Sequence, residues 1–221
     1  MGVYEEVETM KIFFDLDGTL VDASDRLYQL FQFLVPDSKL TKNSYWELKR
    51  NKISHQQILK TQFSYAGERI KTFEQAWLEM IELPEWIALD RPFIKVTEYL
   101  SEIKKHHSLF VITARQSEET ATNQLRTYGW ATFFDDVLVT KHRQEKSEMM
   151  KNKNVEISKD WLVGDTGKDI EAGKKIGLLS AAVLTGFLNR EKLLEYNPDI
   201  IVNSVVDLTF KKNRHHGSIK G

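Results

Sequence analysis

Short apolar runs, each breaking off at polar or acidic residues, recur along this chain and restrict its fold more than any other feature. Five or six are readable, at residues 10–14, 109–112, 137–139, 161–163, 181–184 and 200–202. Runs that are apolar at nearly every position, rather than every second one, suit parallel strands buried on both faces. Between most of them the apolar residues fall at helical spacing, as in Phe93, Val96, Tyr99, Leu100 and Ile103 before the second run. Strands alternating with helices predict an α/β fold with a parallel sheet and right-handed crossovers.

Residues 23–90 break this rhythm. They hold no clear strand. Leu27, Leu30, Phe31 and Leu34 share one helical face that stops at Pro36, and Phe73, Ala76, Trp77, Met80 and Ile81 make a second stripe that stops near Pro84. Ser54 with Gln57 has the spacing of a capping box opening a third helix. The expected organisation is therefore an α/β core from residues 1–22 and 91–210, a helical insert over 23–90, and a polar tail over 211–221. The insert's Trp46, Trp77 and Trp86 are expected to pack its core, since large aromatics dominate small cores. The His215–His216 pair reads as tail composition, with no partner ligands nearby.

Composition narrows the function classes. With 41% hydrophobic and 29% charged residues, 11 Gly and 4 Pro, the chain is of folding composition. Thirty-one basic residues against 32 acidic ones give a net charge of −1, so no global field marks a nucleic-acid polymer or an anionic membrane as partner. Cysteine is absent, which excludes disulfides, thiolate nucleophiles and cysteine metal sites and fits the reducing cytoplasm. No stretch approaches the roughly 20 apolar residues of a membrane span. The acidic start lacks a signal-peptide layout, and Glu6 stands where N-myristoylation needs Ser or Thr. A cytoplasmic protein is expected.

The chemistry sits where strands end. The first run leads into Asp15-Leu16-Asp17-Gly18-Thr19, and residues two apart on a strand point the same way, so both carboxylates can leave its end together. Gly18 lets the chain turn away. The second run ends in Thr113-Ala114-Arg115, and the fourth in Gly164-Asp165-Thr166-Gly167-Lys168-Asp169, with Lys146 in the polar stretch between them. Parallel strands end on one edge, where open α/β sheets bind ligands. Asp15, Asp17, Thr113, Lys146, Asp165 and Asp169 are thus expected in one crevice. Four carboxylates together repel, and a divalent cation with a lysine ammonium keeps them ionised. All-oxygen ligands point to Mg²⁺.

These motifs resemble those of the haloacid-dehalogenase-like superfamily: FFDLDGTLVD its first motif, ITAR its Ser/Thr motif, Lys146 its lysine and GDTGKDIEAG its acidic last motif. The resemblance covers residues 10–22 and about 91–207, and the insert stands where phosphoglycolate-phosphatase-like members carry a helical cap. Many relatives have Lys-Pro at the lysine, and no Pro follows a candidate here; Lys146 fits the spacing best, with Lys141 the runner-up. The resemblance implies a Rossmann-like core and Mg²⁺-dependent hydrolysis of a small phosphate monoester, from a phosphorylated metabolite or a nucleotide. Asp15 would be the nucleophile that forms an aspartyl-phosphate, and Asp17 the general acid and base. Asp15, the main-chain carbonyl of Asp17, Asp165 and Asp169 would hold the metal, and Thr113, Ala114, Arg115 and Lys146 would hold phosphate or substrate. The acid/base carboxylate at Asp17 favours phosphoryl transfer over carbon–halogen cleavage, because a halide leaves without a proton. A phosphomutase using the same intermediate, and a binding module that has lost catalysis, are the alternatives. Asp22 and Ser24 are expected to cap a helix, Lys168 to be a solvated charge, and Lys42, Tyr45, Lys49 and Arg50 to lie in the insert within reach of a leaving group.

Overall fold

The apolar runs fold as strands β1 (Lys11–Phe14), β4 (Ser108–Thr113), β5 (Asp136–Val139), β6 (Trp161–Gly164), β7 (Leu179–Val183) and β8 (Ile200–Val202) in a computed structural model that describes residues 9–210. The acidic residues 1–8 and the tail with His215 and His216 lie outside the described residues. The six strands form one parallel sheet in the order β5-β4-β1-β6-β7-β8. Register is set by side chains that alternate between faces. Ile12, Phe14, Leu109, Val111 and Val163 pack into one buried cluster. Their neighbours Phe13, Phe110, Ile112 and Leu162 pack into another. Helices α6 (Val96–Ile103), α7 (Glu118–Thr127), α8 (Lys146–Lys151), α9 (Gly167–Lys175) and α10 (Arg190–Leu194) lie between the strands in sequence.

Between β1 and α6 run α1 (Ser24–Leu34), α2 (Lys42–Arg50), α3 (His55–Phe63), α4 (Glu68–Met80) and α5 (Pro84–Ile87). They surround a hydrophobic cluster of their own that includes Leu30, Phe31, Tyr45, Ile58 and Phe73, with Trp46, Trp77 and Trp86 packed against it. The breakpoints follow local chemistry. Helix α1 ends at Leu34, and Val35, the residue preceding Pro36, is non-helical, as residues before proline avoid the helical region. Ser54 and Gln57 make the reciprocal bonds of a capping box on α3, and α5 begins at Pro84, whose missing N–H is harmless in the first turn. The cap position of α1 falls on Ala23, which makes no side-chain bond, rather than on Asp22 or Ser24; Ser24 is the first helical residue and its N–H bonds the Asp22 carboxylate at 2.9 Å.

A pair of two-residue strands, β2 (Val21–Asp22) and β3 (Arg91–Pro92), runs antiparallel where the chain leaves the sheet for these helices and where it returns. No helix among the described residues is long and apolar enough to cross a membrane.

Candidate active site

Strands β1, β4 and β6 are neighbours, so their carboxyl ends open side by side. The N–H of Asp15 continues the ladder by bonding the carbonyl of Val163 at 2.9 Å, which carries Asp15 across to the residues that follow β6. Asp15, Asp165 and Asp169 each present a carboxylate oxygen within 4.8 Å of the other two, and all three residues are buried. The chain makes room for this cluster with glycine. A Cβ on Gly18 or on Gly186 would overlap the carboxylate of Asp165, and Gly18 also has φ +87°.

Each carboxylate is oriented. Asp165 accepts from the Thr19 hydroxyl at 3.3 Å and the Phe187 N–H at 2.6 Å. Asp169 accepts from the Thr166 N–H at 3.1 Å through one oxygen, capping α9, and from the Lys146 ammonium at 2.6 Å through the other. The same ammonium donates to Asp15. Lys146 opens α8 and is therefore the lysine that reaches the acidic cluster; Lys141 is exposed and pairs with Glu118 at 3.3 Å.

The electrostatics follow from burial. Burial, helped by the charge of Asp169, pushes the Asp15 carboxyl up to about 7 against the pull of Lys146. Asp165 is driven well above the usual range by burial, then by Asp15 and Asp169. Burial opposes the charge on Lys146, but the two carboxylates it touches hold its proton more firmly still. Hard oxygen donors, crowded together and short of cationic partners, suit a divalent cation such as Mg²⁺.

Asp17 stands apart from this cluster. Its Oδ1 accepts from Nη2 of Arg26 and from Nη2 of Arg115, each at 2.6 Å, and its Oδ2 accepts from Nε of Arg115 at 2.9 Å. Burial alone would raise this carboxyl, yet Arg115 and Arg26 hold it well below the carboxylate range. Its side chain is therefore turned to the arginines and lies outside the trio of Asp15, Asp165 and Asp169. Arg115, expected among the phosphate ligands, directs its guanidinium to Asp17 and to Asp90. Thr113 is buried at the end of β4 and takes the Arg115 N–H at 3.4 Å.

A cleft of about 290 Å³ joins these groups; it is lined by Asp15, Asp17, Thr113, Ala114, Lys146 and the acidic pair Asp165 and Asp169, with Lys168, which is exposed, also on its wall. Leu27, Trp77, Leu78 and Ile81 close it from the helical side, and Phe187 from the loop after β7. Lys42, Tyr45, Lys49 and Arg50 do not line it. Tyr45 is buried against His55, and Arg50 bonds the Leu184 carbonyl.

The sequence reading missed Arg26 and Asp90. Arg26 had a signal, a charge adjoining the apolar stripe of Leu27 and Leu30, where it is 2% exposed. Asp90 had none, because its partners Arg26 and Arg115 lie 64 and 25 residues away.

Comparison with known proteins agrees with this geometry. The family model for haloacid dehalogenase-like hydrolases matches residues 12–183. A Clostridium perfringens protein, provisionally named pyrophosphatase PpaX, is 30% identical over 220 residues that span 91% of this chain and 98% of the other. A phosphoglycolate phosphatase of Synechococcus elongatus is 24% identical over 207 residues, 89% of this chain and 94% of that one. In fold, the chain matches a haloacid dehalogenase-like family protein of Streptococcus pneumoniae with a TM-score of 0.72 at 21% identity, over 89% of this chain and 94% of that chain.

Proposed function

Since the chain belongs to the haloacid dehalogenase-like hydrolase family, we propose that it is a Mg²⁺-dependent phosphatase acting on a small phosphate monoester through an aspartyl-phosphate on Asp15. The observation that carries this reading is the buried meeting of Asp15, Asp165 and Asp169 with the Lys146 ammonium, on the same cleft wall as Asp17 and Thr113. Relatives named as a pyrophosphatase and a phosphoglycolate phosphatase support a small phosphorylated substrate.

Asp15, Asp165 and Asp169 would hold Mg²⁺, which when bound neutralises their charge and that of the phosphate. Asp15 is the nucleophile in this scheme: an ionised carboxylate attacks phosphorus without an activating base. Lys146 and Thr113 bind phosphate oxygens, and the ammonium offsets charge as it builds there. Asp17 is the general acid and base of this scheme: Arg115 and Arg26 favour its ionised form, which takes a proton from the water that hydrolyses the acyl phosphate, and it would return that proton to a leaving oxygen as the P–O bond breaks. Helices α1 to α5 serve as a cap over residues 23–90: Leu27, Trp77 and Ile81 keep bulk water from the cleft and contact the leaving group.

Release of inorganic phosphate from a panel of small monoesters, with and without Mg²⁺, tests the reading. Mg²⁺-dependent release into water is expected. Transfer of the phosphoryl group to a sugar hydroxyl without free phosphate would make the chain a mutase, and no turnover of any ester by the folded protein would make it a binding module.

A further inference from the structure

A second cavity, of about 500 Å³, opens beside the cleft. Its walls come from the segment 140–147, from α9 and from Ala114, and among the described residues none of helices α1 to α5 lines it. The two spaces share Ala114, His142, Lys146 and Lys168. They therefore meet at the lysine that contacts Asp15 and Asp169, with Lys168 and His142 beside it.

The other Arg and Lys side chains on the cleft wall are engaged. Arg26 is divided among Asp17, Asp90 and the Ile81 carbonyl. Arg115 serves Asp17 and Asp90, and the nitrogen it leaves over, Nη1, is buried and closed off from solvent. Lys146 is held between Asp15 and Asp169, and its third N–H is left for a phosphate oxygen. Lys168 differs: among the described residues it makes no ion pair and no side-chain hydrogen bond. The acids of the adjoining cavity do not neutralise it. Glu145 is taken by Lys175 and the Ser147 hydroxyl, and Glu171 lines only the outer space. The junction thus presents an uncommitted ammonium next to the lysine assigned to phosphate.

We propose that Lys168, with His142 beside it, binds a second anionic group of the substrate. The substrate is then a phosphate ester whose leaving portion carries a carboxylate or a second phosphoryl group, and that group lies at the junction with the core-side cavity. The inference rests on the phosphatase reading, which places the phosphoryl group to be transferred against Asp15, Lys146 and Thr113. An ammonium is a compact charge with three rotatable donors on a flexible stem, so it suits either anion without a fixed geometry. Lys168 is in this scheme a specificity residue: it holds the leaving portion and takes no part in breaking the P–O bond.

The test is kcat/KM with Mg²⁺ for carboxymethyl and 3-carboxypropyl phosphates, for their phosphonomethyl and 3-phosphonopropyl counterparts, and for the uncharged carbamoylmethyl and 3-carbamoylpropyl esters. The readout is the ratio of each anionic ester to the uncharged ester of the same length, taken within one protein, so that a general defect cancels. Wild type is expected to favour an anionic ester by about tenfold, the low end for a hydrogen bond between charged groups. Whichever anion gives the larger ratio identifies the group. Lys168→Gln is expected to bring the ratio close to one, and Lys168→Arg to keep most of it. His142→Gln, a second exposed position, is expected to lower the ratio as well. A wild-type protein that hydrolyses these esters without preferring an anionic one, or a preference that survives Lys168→Gln, overturns the inference and leaves the phosphatase reading standing. A wild-type protein that hydrolyses none of them overturns the phosphatase reading itself.

Discussion

Asp165 is fully buried, and its bonds go to a hydroxyl and a main-chain N–H rather than to a cation. A buried charge without a compensating partner is costly, and the usual outcome is that the group holds a proton or binds a metal. Asp15 is in the same position despite Lys146, with its carboxyl pushed up to about 7 by burial. A cation binds the ionised carboxylate, so it must displace protons that the metal-free site holds at lower pH. The sign follows: affinity for Mg²⁺ rises as pH increases through about 7. Calorimetric titration with Mg²⁺ in buffers of different ionisation enthalpy is expected to show tighter binding at pH 8 than at pH 6, with proton release at the lower pH. Affinity independent of pH across that interval would mean the acids are already ionised without the metal.

At the scale of elements, the helical insert owes its core to ring packing around His55. This imidazole bonds the Tyr45 hydroxyl at 2.8 Å and packs on Phe31, Phe73 and Trp77. Burial, with Lys49 nearby, lowers its proton affinity well below the ordinary value of 6.5. A histidine whose folded pKa is depressed contributes stability that is present above its unfolded pKa and lost as the pH falls below it. Denaturant unfolding from pH 7.5 to 5 is expected to show a loss of stability that is smaller in His55→Gln. An unchanged pH dependence in that variant would mean that His55 is charged in the fold. These elements also show what a sequence discloses. Six strands are readable because buried parallel strands are apolar on both faces, as Phe13 and Phe14 show on successive positions of β1. The paired β2 and β3 are too short for any period to register. The carboxylate pairs at Asp15/Asp17 and Asp165/Asp169 are legible because local spacing sets them. The arginine grip on Asp17 is not, because it joins residues from α1, the segment before β3 and the end of β4 that only the folded chain brings together.

Across the whole molecule, the insert rests on the sheet's carboxyl edge at both sides of the cleft. Glu82 accepts from the N–H groups of Gln116 and Ser117 at 2.6 and 3.0 Å, just after β4. On the other side Arg50 donates to the Leu184 carbonyl at 3.1 Å and its own carbonyl accepts from the Asn189 N–H at 3.0 Å, after β7. The reacting groups thus lie between a core that supplies acids and a lysine and a helical layer that supplies apolar walls and, through Arg26, a hold on Asp17. The central claim is that Asp15 takes the phosphoryl group. Rapid acid quench of the protein mixed with a ³²P-labelled monoester and Mg²⁺ measures this directly. The account predicts label on the wild-type protein that is stable in acid and removed by hydroxylamine, as an acyl phosphate is, with neither label nor turnover in Asp15→Asn. Near-normal phosphate release by Asp15→Asn would contradict it.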